Sequence, residues 1–236
     1  TITSIMGSQL KVEDGSVTVQ IKGNGPLGAI VCVGAVREAV GNETELLIEG
    51  HGRFDIPTAL TIARELETFR PMWFEEPVPP DNPDALKAVK DRSPVPIAAG
   101  ERLYTRFDYR PLFDKQAADY IQPDISHAGG ISELMKIAAE AESRYIPFAP
   151  HNPSGPVANA ATLQLAAVCP NFCILESMFS DVTWRHEICD ENLTFRDGKL
   201  VVPDKPGLGI EIFEEECEKH PYRVHTLRHY TGALTD

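Results

Sequence analysis

Six residues that can bind a metal ion or move a proton recur along this chain at intervals of about 25 positions. Each of them ends a short apolar run: Glu49, Glu75, Glu101, Asp124, His151 and Glu176. The first three are carboxylates spaced 26 positions apart, so they would occupy equivalent places on neighbouring strands. Three such groups could converge on one cation, and oxygen-only ligation suits Mg²⁺. The alternative for any single strand-end glutamate is an ordinary salt bridge.

Glu75 and Glu76 are adjacent carboxylates, and only one of them can be a metal ligand. Successive side chains of a regular strand point to opposite faces, so the two cannot reach the same ion. Register with Glu49 and Glu101 favours Glu75 as the ligand. Glu76 is then expected to contact the substrate, together with Arg53.

His151 and Asp124 end consecutive runs and form a candidate catalytic dyad. An aspartate that accepts a hydrogen bond from one imidazole nitrogen orients the ring and raises its basicity, and the other nitrogen can then remove a substrate proton. The alternative is a histidine that only fastens two loops. His51, two residues after Glu49, would supply a second acid/base group.

Two further polar residues have two open interpretations each. Glu176 either donates a hydrogen bond to the substrate in its protonated form or is an ordinary buried partner. His127 either braces its loop through a hydrogen bond or contacts the substrate. With Arg53 and Glu76, His127 completes the set of residues expected to bind substrate.

The interval between these residues fits a strand, a loop, a helix and a return loop, as in a parallel (β/α) barrel whose strand ends gather at one rim. The predicted strands are residues 45–49, 72–75, 95–101, 118–124, 145–151 and 172–176. Helical patterns separate them, and Asp55 and Asn82 are candidate N-caps followed by proline. We therefore predict an α/β fold: a partial (β/α) TIM-type barrel with about six recognisable strands.

The two ends of the chain fall outside this alternation. Residues 1–35 are predicted to contain a β-hairpin, with strands at 16–22 and 29–33 around a Gly-Asn-Gly-Pro turn. Residues 36–180 form the partial barrel, and residues 181–236 form a mixed C-terminal segment that packs on it. A full barrel of this class has eight strands, and only about six are recognised here. Either the hairpin region substitutes for the two missing units, or the exposed strand edges of a partial barrel pair with another chain. A homo-oligomer is therefore expected.

The composition of this 236-residue chain excludes some classes of binding partner. A formal net charge of −13 without a Lys/Arg run argues against nucleic acid and anionic membranes. Five cysteines without a CxxC pair indicate reduced thiols. The sequence has neither a signal peptide at its start nor an apolar stretch of the roughly 18 residues of a membrane helix. A soluble, cytoplasmic protein acting on a small molecule is expected.

Four motifs contain strand-end residues: WFEEP at 73–77, IAAGER at 97–102, QPDISHAGG at 122–130 and APHNP at 149–153. They resemble the barrel of the enolase superfamily, mandelate racemase group, and within it the acid-sugar dehydratases of the galactonate type. The resemblance runs from about residue 36 to 236 and includes PDKPGLG at 203–209. Residues 16–33 instead resemble a strand pair from the substrate-binding domain of a redox-regulated heat-shock chaperone.

The resemblance implies a role for each strand-end residue. The family's three metal carboxylates fall on Glu49, Glu75 and Glu101, although its first ligand is usually aspartate. The family's dyad falls on His151 and Asp124, the dehydratase branch's acidic histidine on His51, and its last-strand glutamate on Glu176.

The implied reaction is Mg²⁺-dependent dehydration of an aldonate-like sugar acid. The α-proton is removed to give an enediolate, and loss of the β-hydroxyl then yields a 2-keto-3-deoxy acid. Two alternatives stay open: an epimerase or racemase on the same scaffold, and a catalytically inactive truncated or fusion fragment, since the family's capping domain and first two barrel strands are not recognisable.

Overall fold

The computed structural model describes residues 17–19, 26–178, 184–190, 195–196 and 199–222. The chain divides into two compact units. The first comprises Thr1–Ala99 and Pro111–Tyr120, and the second comprises Gly100–Arg110 and Ile121–Asp236. The predicted boundaries at residues 35 and 180 stay a prediction.

A sheet whose first four strands pair in parallel forms the centre of the first unit. Its strands, in spatial order, are β1 (Val17–Val19), β2 (Leu46–Glu49), β3 (Trp73–Glu75), β4 (Ile97–Ala99) and β5 (Tyr120–Ile121). All residues of β3 and β4 are buried, as expected for strands covered on both faces. Four of the six predicted strands are therefore formed here, each shorter than predicted.

Helices alternate with these strands. They are α1 (Pro26–Val40), α2 (Ile56–Leu66) with a 3₁₀ turn at Glu67–Phe69, and α3 (Pro83–Lys90). Both predicted caps are confirmed, because Asp55 accepts a hydrogen bond from the Thr58 amide and Asn82 accepts from two amides of the first turn of α3.

The predicted β-hairpin in residues 1–35 is wrong. Residues 29–33, expected as its second strand, lie in α1, and β1 pairs with β2 in parallel. The β-branched residues of this run favour a strand locally, but Pro26 supplies a helical φ at the first position of a helix. Val33 and Val36 are buried on one face of α1, so packing outweighs local propensity. The described chain thus begins with a β-α-β unit.

Among the described residues, the second unit contains the remaining helices and three isolated bridges, one of them antiparallel between Cys189 and Ile212. Its elements include the start of α4 (Thr105–Lys115), then α5 (Ile131–Glu142), α6 (Pro156–Ala166), an antiparallel pair β6 (Phe195–Arg196) and β7 (Lys199–Leu200), and α7 (Glu214–Cys217). The predicted strands 145–151 and 172–176 are reduced to parallel bridges, Ile121 to Phe148 and Phe148 to Phe172.

The helices after strands four and five confirm the predicted alternation of strands and helices. Helix α5 buries Leu134, Ile137 and Ala141. Ile131 of α5 and Val157 of α6 are 40% and 50% exposed. Both lie in the first turn of their helices, where side chains reach past the packed face. Across the residues described, no helix combines the length and apolar character needed to cross a membrane.

Candidate active site

In the first unit, Glu49 and Glu75 are direct partners across β2 and β3. Gly50 follows Glu49 and its amide donates to the Glu75 carbonyl at 2.8 Å. A β-carbon on Gly50 would lie 2.8 Å from Phe74 Cε2 and 2.9 Å from the carbonyl oxygens of Glu75 and Glu76. The two strands can approach this closely only because residue 50 is glycine, so the two carboxylates leave adjacent strand ends side by side.

The Glu75 carboxylate accepts a hydrogen bond from the indole of Trp73, with Nε1 3.1 Å from Oε2. Both side chains are buried. The Trp73 ring packs against Tyr120, with ring centroids 5.2 Å apart. Glu75 is therefore held in place by its own strand. This role of Trp73 was not predicted from sequence, although its position two residues before Glu75 places both side chains on one face of the strand.

Glu76 does not continue β3, because its φ is 35°. Its amide donates to the Ala98 carbonyl at 3.0 Å, and its side chain is buried. Arg53 is exposed, and its amide donates to the Gly50 carbonyl at 3.3 Å. Substrate binding by Glu76 and Arg53 stays a prediction.

His51 stays beside Glu49. Its φ of 56° turns the chain back, and its amide donates to a Glu49 carboxylate oxygen. The imidazole Nδ1 lies 3.7 Å from the same oxygen, Oε1.

In the second unit, His151 bridges two carboxylates. Its Nδ1 lies 2.9 Å from Asp124 Oδ2, as the dyad prediction requires, and its Nε2 lies 3.1 Å from Glu101 Oε2. Burial disfavours the imidazolium, but the Asp124 hydrogen bond and the charges of Glu101 and Glu176 outweigh it and raise the pKa of His151 to about 9. The contact with Glu101 was not predicted.

Asp124 is oriented by its own loop. Desolvation opposes its ionised form, yet hydrogen bonds from His151 and the Ser126 amide (2.6 Å) lower the pKa of Asp124 below its usual value. His127 is exposed and its Nδ1 lies 3.0 Å from the Glu101 carbonyl. This contact is the loop brace of the first interpretation; a substrate contact by His127 stays a prediction.

Glu176 is tied to the residue after His151. The Asn152 amide donates to Glu176 Oε2 at 2.9 Å, and the Asn152 side-chain nitrogen donates to the Glu176 carbonyl at 3.0 Å. Asn152 is 1% exposed and was not predicted as a site residue. Its place directly after the strand-end histidine is the sequence signal that could have identified it.

Two more residues missed from sequence hold the loop after Glu101. The Tyr109 hydroxyl donates to the Gly100 carbonyl at 2.6 Å. Arg106 contacts Glu133 at the start of α5 through its guanidinium and its amide, the latter at 3.0 Å. Within the second unit, Glu101 and Asp124 therefore sit on loops that are braced to each other.

Comparisons with known proteins identify the family of this chain. Residues 6–216 match the family model described as enolase C-terminal domain-like. The match includes most of residues 1–35, which the sequence had suggested were foreign to the family. A D-xylonate dehydratase of Haloferax volcanii is 38% identical over 195 residues, 83% of this chain and 47% of that protein. A D-galactonate dehydratase of Pectobacterium atrosepticum is 41% identical over 193 residues, 79% of this chain and 50% of that protein.

A solved structure is similar over the same length. The mandelate racemase/muconate lactonizing enzyme-like protein from Rubrobacter xylanophilus superposes with a TM-score of 0.80 at 43% identity, covering 86% of this chain and 52% of that one. The chain thus spans about half the length of the curated relatives it matches.

Proposed function

Because this chain belongs to the enolase C-terminal domain-like family, we propose that it carries the catalytic groups of a Mg²⁺-dependent sugar-acid dehydratase. The family resemblance and the α/β fold class with a parallel sheet are confirmed by the family match and the solved relatives. The observation that carries the proposal is His151, a partly buried imidazole held by Asp124 at 2.9 Å. The relatives named as D-xylonate and D-galactonate dehydratases suggest the substrate class.

The metal ligands in this proposal are Glu49, Glu75 and Glu101. The donor set fits a hard divalent cation, because all three groups offer oxygen. Glu49 and Glu75 leave paired strand ends, and Glu75 is 9% exposed and Glu101 5% exposed. Buried carboxylates in register repel each other unless a positive charge neutralises them. Bound Mg²⁺ would supply electrophilic stabilisation of the negative charge that develops on the substrate carboxylate.

His151 is the proposed base that removes the α-proton. Asp124 fixes the ring through Nδ1, so Nε2, which lies 3.1 Å from Glu101 Oε2, is the atom that would accept the proton. The charge of Glu101 is one cause of the pKa of about 9, at which the ring is protonated at neutral pH; a cation bound to Glu101 would offset that charge and favour the neutral ring that a base requires. Its positive charge after proton transfer is stabilised by Asp124.

His51 is the proposed acid that protonates the departing β-hydroxyl. His51 stays close to a proposed metal ligand, because its Nδ1 lies 3.7 Å from Glu49 Oε1. Glu176 is proposed to face the substrate, with one carboxylate oxygen fixed by the Asn152 amide at 2.9 Å. His127, Arg53 and Glu76 remain proposed substrate contacts.

The test is a panel of sugar acids, D-xylonate and D-galactonate first, incubated with the protein and Mg²⁺. Formation of a 2-keto-3-deoxy acid is measured chemically, and exchange of the α-proton in D₂O is followed by NMR. We expect His151→Ala to lose both formation of the 2-keto-3-deoxy acid and exchange of the α-proton. His51→Ala should retain exchange of the α-proton while losing dehydration. His186→Ala, at an exposed histidine outside these groups, is the matched control and should behave as wild type.

Three outcomes would contradict parts of the proposal. Unchanged turnover in His151→Ala or in His51→Ala removes the role assigned to that residue. A stereoisomeric acid as the product replaces dehydration by epimerisation. Absence of both turnover and exchange in the wild-type chain favours an inactive fragment. The cytoplasmic location and the homo-oligomer stay predictions, the latter testable by light scattering.

A further inference from the structure

We infer that Trp73 is a positioning residue that sets the orientation of the Glu75 carboxylate for cation binding. The inference rests on the proposed role of Glu75 as a metal ligand. Its observation is separate: the indole Nε1–H donates to Glu75 Oε2 at 3.1 Å between side chains that are 2% and 9% exposed. A hydrogen bond shielded from water keeps its geometry better than one at the surface.

The strand itself enforces this contact. Residues 73 and 75 point to the same face of β3, whereas Phe74 points to the other. The sheet ladder fixes both backbone positions, and the Trp73 ring is confined against Tyr120 at a centroid distance of 5.2 Å. The donor is therefore preset, and the glutamate, which has three rotatable side-chain bonds, adapts to it. Fewer rotamers of Glu75 remain to be ordered when a cation binds.

An indole is chemically suited to this task. It is a donor only, and it carries no charge. A lysine or arginine in its place would hold the carboxylate but would also neutralise it and compete with a cation. Trp73 can orient Glu75 without adding a positive charge beside the carboxylate. Removing such an outer donor generally weakens metal binding by about 10- to 100-fold.

The decisive substitution removes the N–H without changing the shape. The chain has two tryptophans, so in a Trp184→Phe background biosynthetic replacement of tryptophan by β-(3-benzothienyl)alanine changes residue 73 alone. Sulfur then stands in place of the N–H. We expect the Kd for Mg²⁺, measured by calorimetry, to rise about 10-fold or more. Trp184→Phe with ordinary tryptophan at 73 is the matched control, since Trp184 stacks on His220 at 3.9 Å in the second unit.

A second measurement needs no metal. In ¹⁵N-indole spectra recorded with a chelator, the Trp73 N–H should resonate downfield, and Glu75→Gln should move it upfield because a neutral acceptor forms a weaker hydrogen bond. This readout also covers the case in which the benzothienyl protein folds poorly.

The outcomes separate this inference from the proposed function. If wild type and control bind Mg²⁺ and the benzothienyl protein binds it within twofold, the positioning role is wrong while the metal site stands. If the chemical shift of the Trp73 indole N–H is unchanged in Glu75→Gln, the hydrogen bond itself is refuted. If the wild-type chain binds no Mg²⁺ at all, the proposed metal site fails, and the role of Trp73 fails with it.

Discussion

Replacing Gly50 by alanine should couple a loss of stability to a loss of metal binding. The added methyl group would lie 2.8 Å from Phe74 Cε2 and 2.9 Å from two carbonyl oxygens of the next strand. Overpacking of this kind costs about 1–3 kcal/mol. The upper part of that range applies, because the carbonyls of Glu75 and Glu76 are backbone groups that cannot rotate away.

The strand pair must open to accommodate the methyl group, which lengthens the 2.8 Å bond from the Gly50 amide to the Glu75 carbonyl. For a protein of this size, a loss of about 2–3 kcal/mol lowers Tm by about 4–12 °C. The separation of the Glu49 and Glu75 carboxylates grows at the same time, so the Kd for Mg²⁺ should rise. Calorimetry of unfolding and a Mg²⁺ titration of the same sample measure both effects.

Gly155→Ala is the control for this experiment, because no atom lies within 4 Å of the added methyl group and φ is −72°. Its cost should stay below about 1 kcal/mol, since alanine is only a weaker N-cap than glycine. A Gly50→Ala protein that unfolds within about 0.5 kcal/mol of wild type would refute the close approach of the two strands and the reasoning built on it.

Three further predictions concern single contacts. In chelator-treated protein, NMR should find the pKa of His151 near 9, and a lower pKa in Asp124→Asn. Because the folded-state pKa is raised, the stabilisation that the protonated ring provides is complete below pH 6.5 and is lost as the pH rises through about 9. Titration of His151 near pH 6.5 in wild type would contradict this prediction. Asn82→Ala should cost about 1 kcal/mol in urea unfolding through the lost cap, and an unchanged midpoint would exclude that cap. Tyr109→Phe should cost a similar amount, about 1 kcal/mol, because the Gly100 carbonyl loses its 2.6 Å donor; equal stability would argue against the bond.

The strand-to-strand interval was predictable from sequence because each βα repeat places one residue at the end of its strand. Glu49 and Glu75 are register partners, and His151 contacts Asp124, as their spacing indicated. The caps at Asp55 and Asn82 were equally accessible, because N-capping depends on a few neighbouring residues.

The N-terminal helix and the bracing contacts were not predictable in the same way. The β-branched residues before Val33 favour a strand locally, and only burial of the helix face in the folded unit reverses that preference. Arg106 and Glu133 are 27 positions apart, and no local sequence pattern indicates that they form an ion pair. Long-range polar contacts of this kind depend on how loops pack, which periodicity does not encode.

The bracing of the second unit has a consequence for protein engineering. Active-site loops of (β/α) proteins are commonly treated as exchangeable modules, but here the Glu101 carbonyl accepts from the loop of His127, and Glu176 accepts from Asn152. Grafting one loop from a relative would remove the partner of a residue on its neighbour. Altered specificity should therefore require transplanting adjacent loops as a set, and recombination breakpoints placed between Glu101 and His127 should give mostly inactive chimeras.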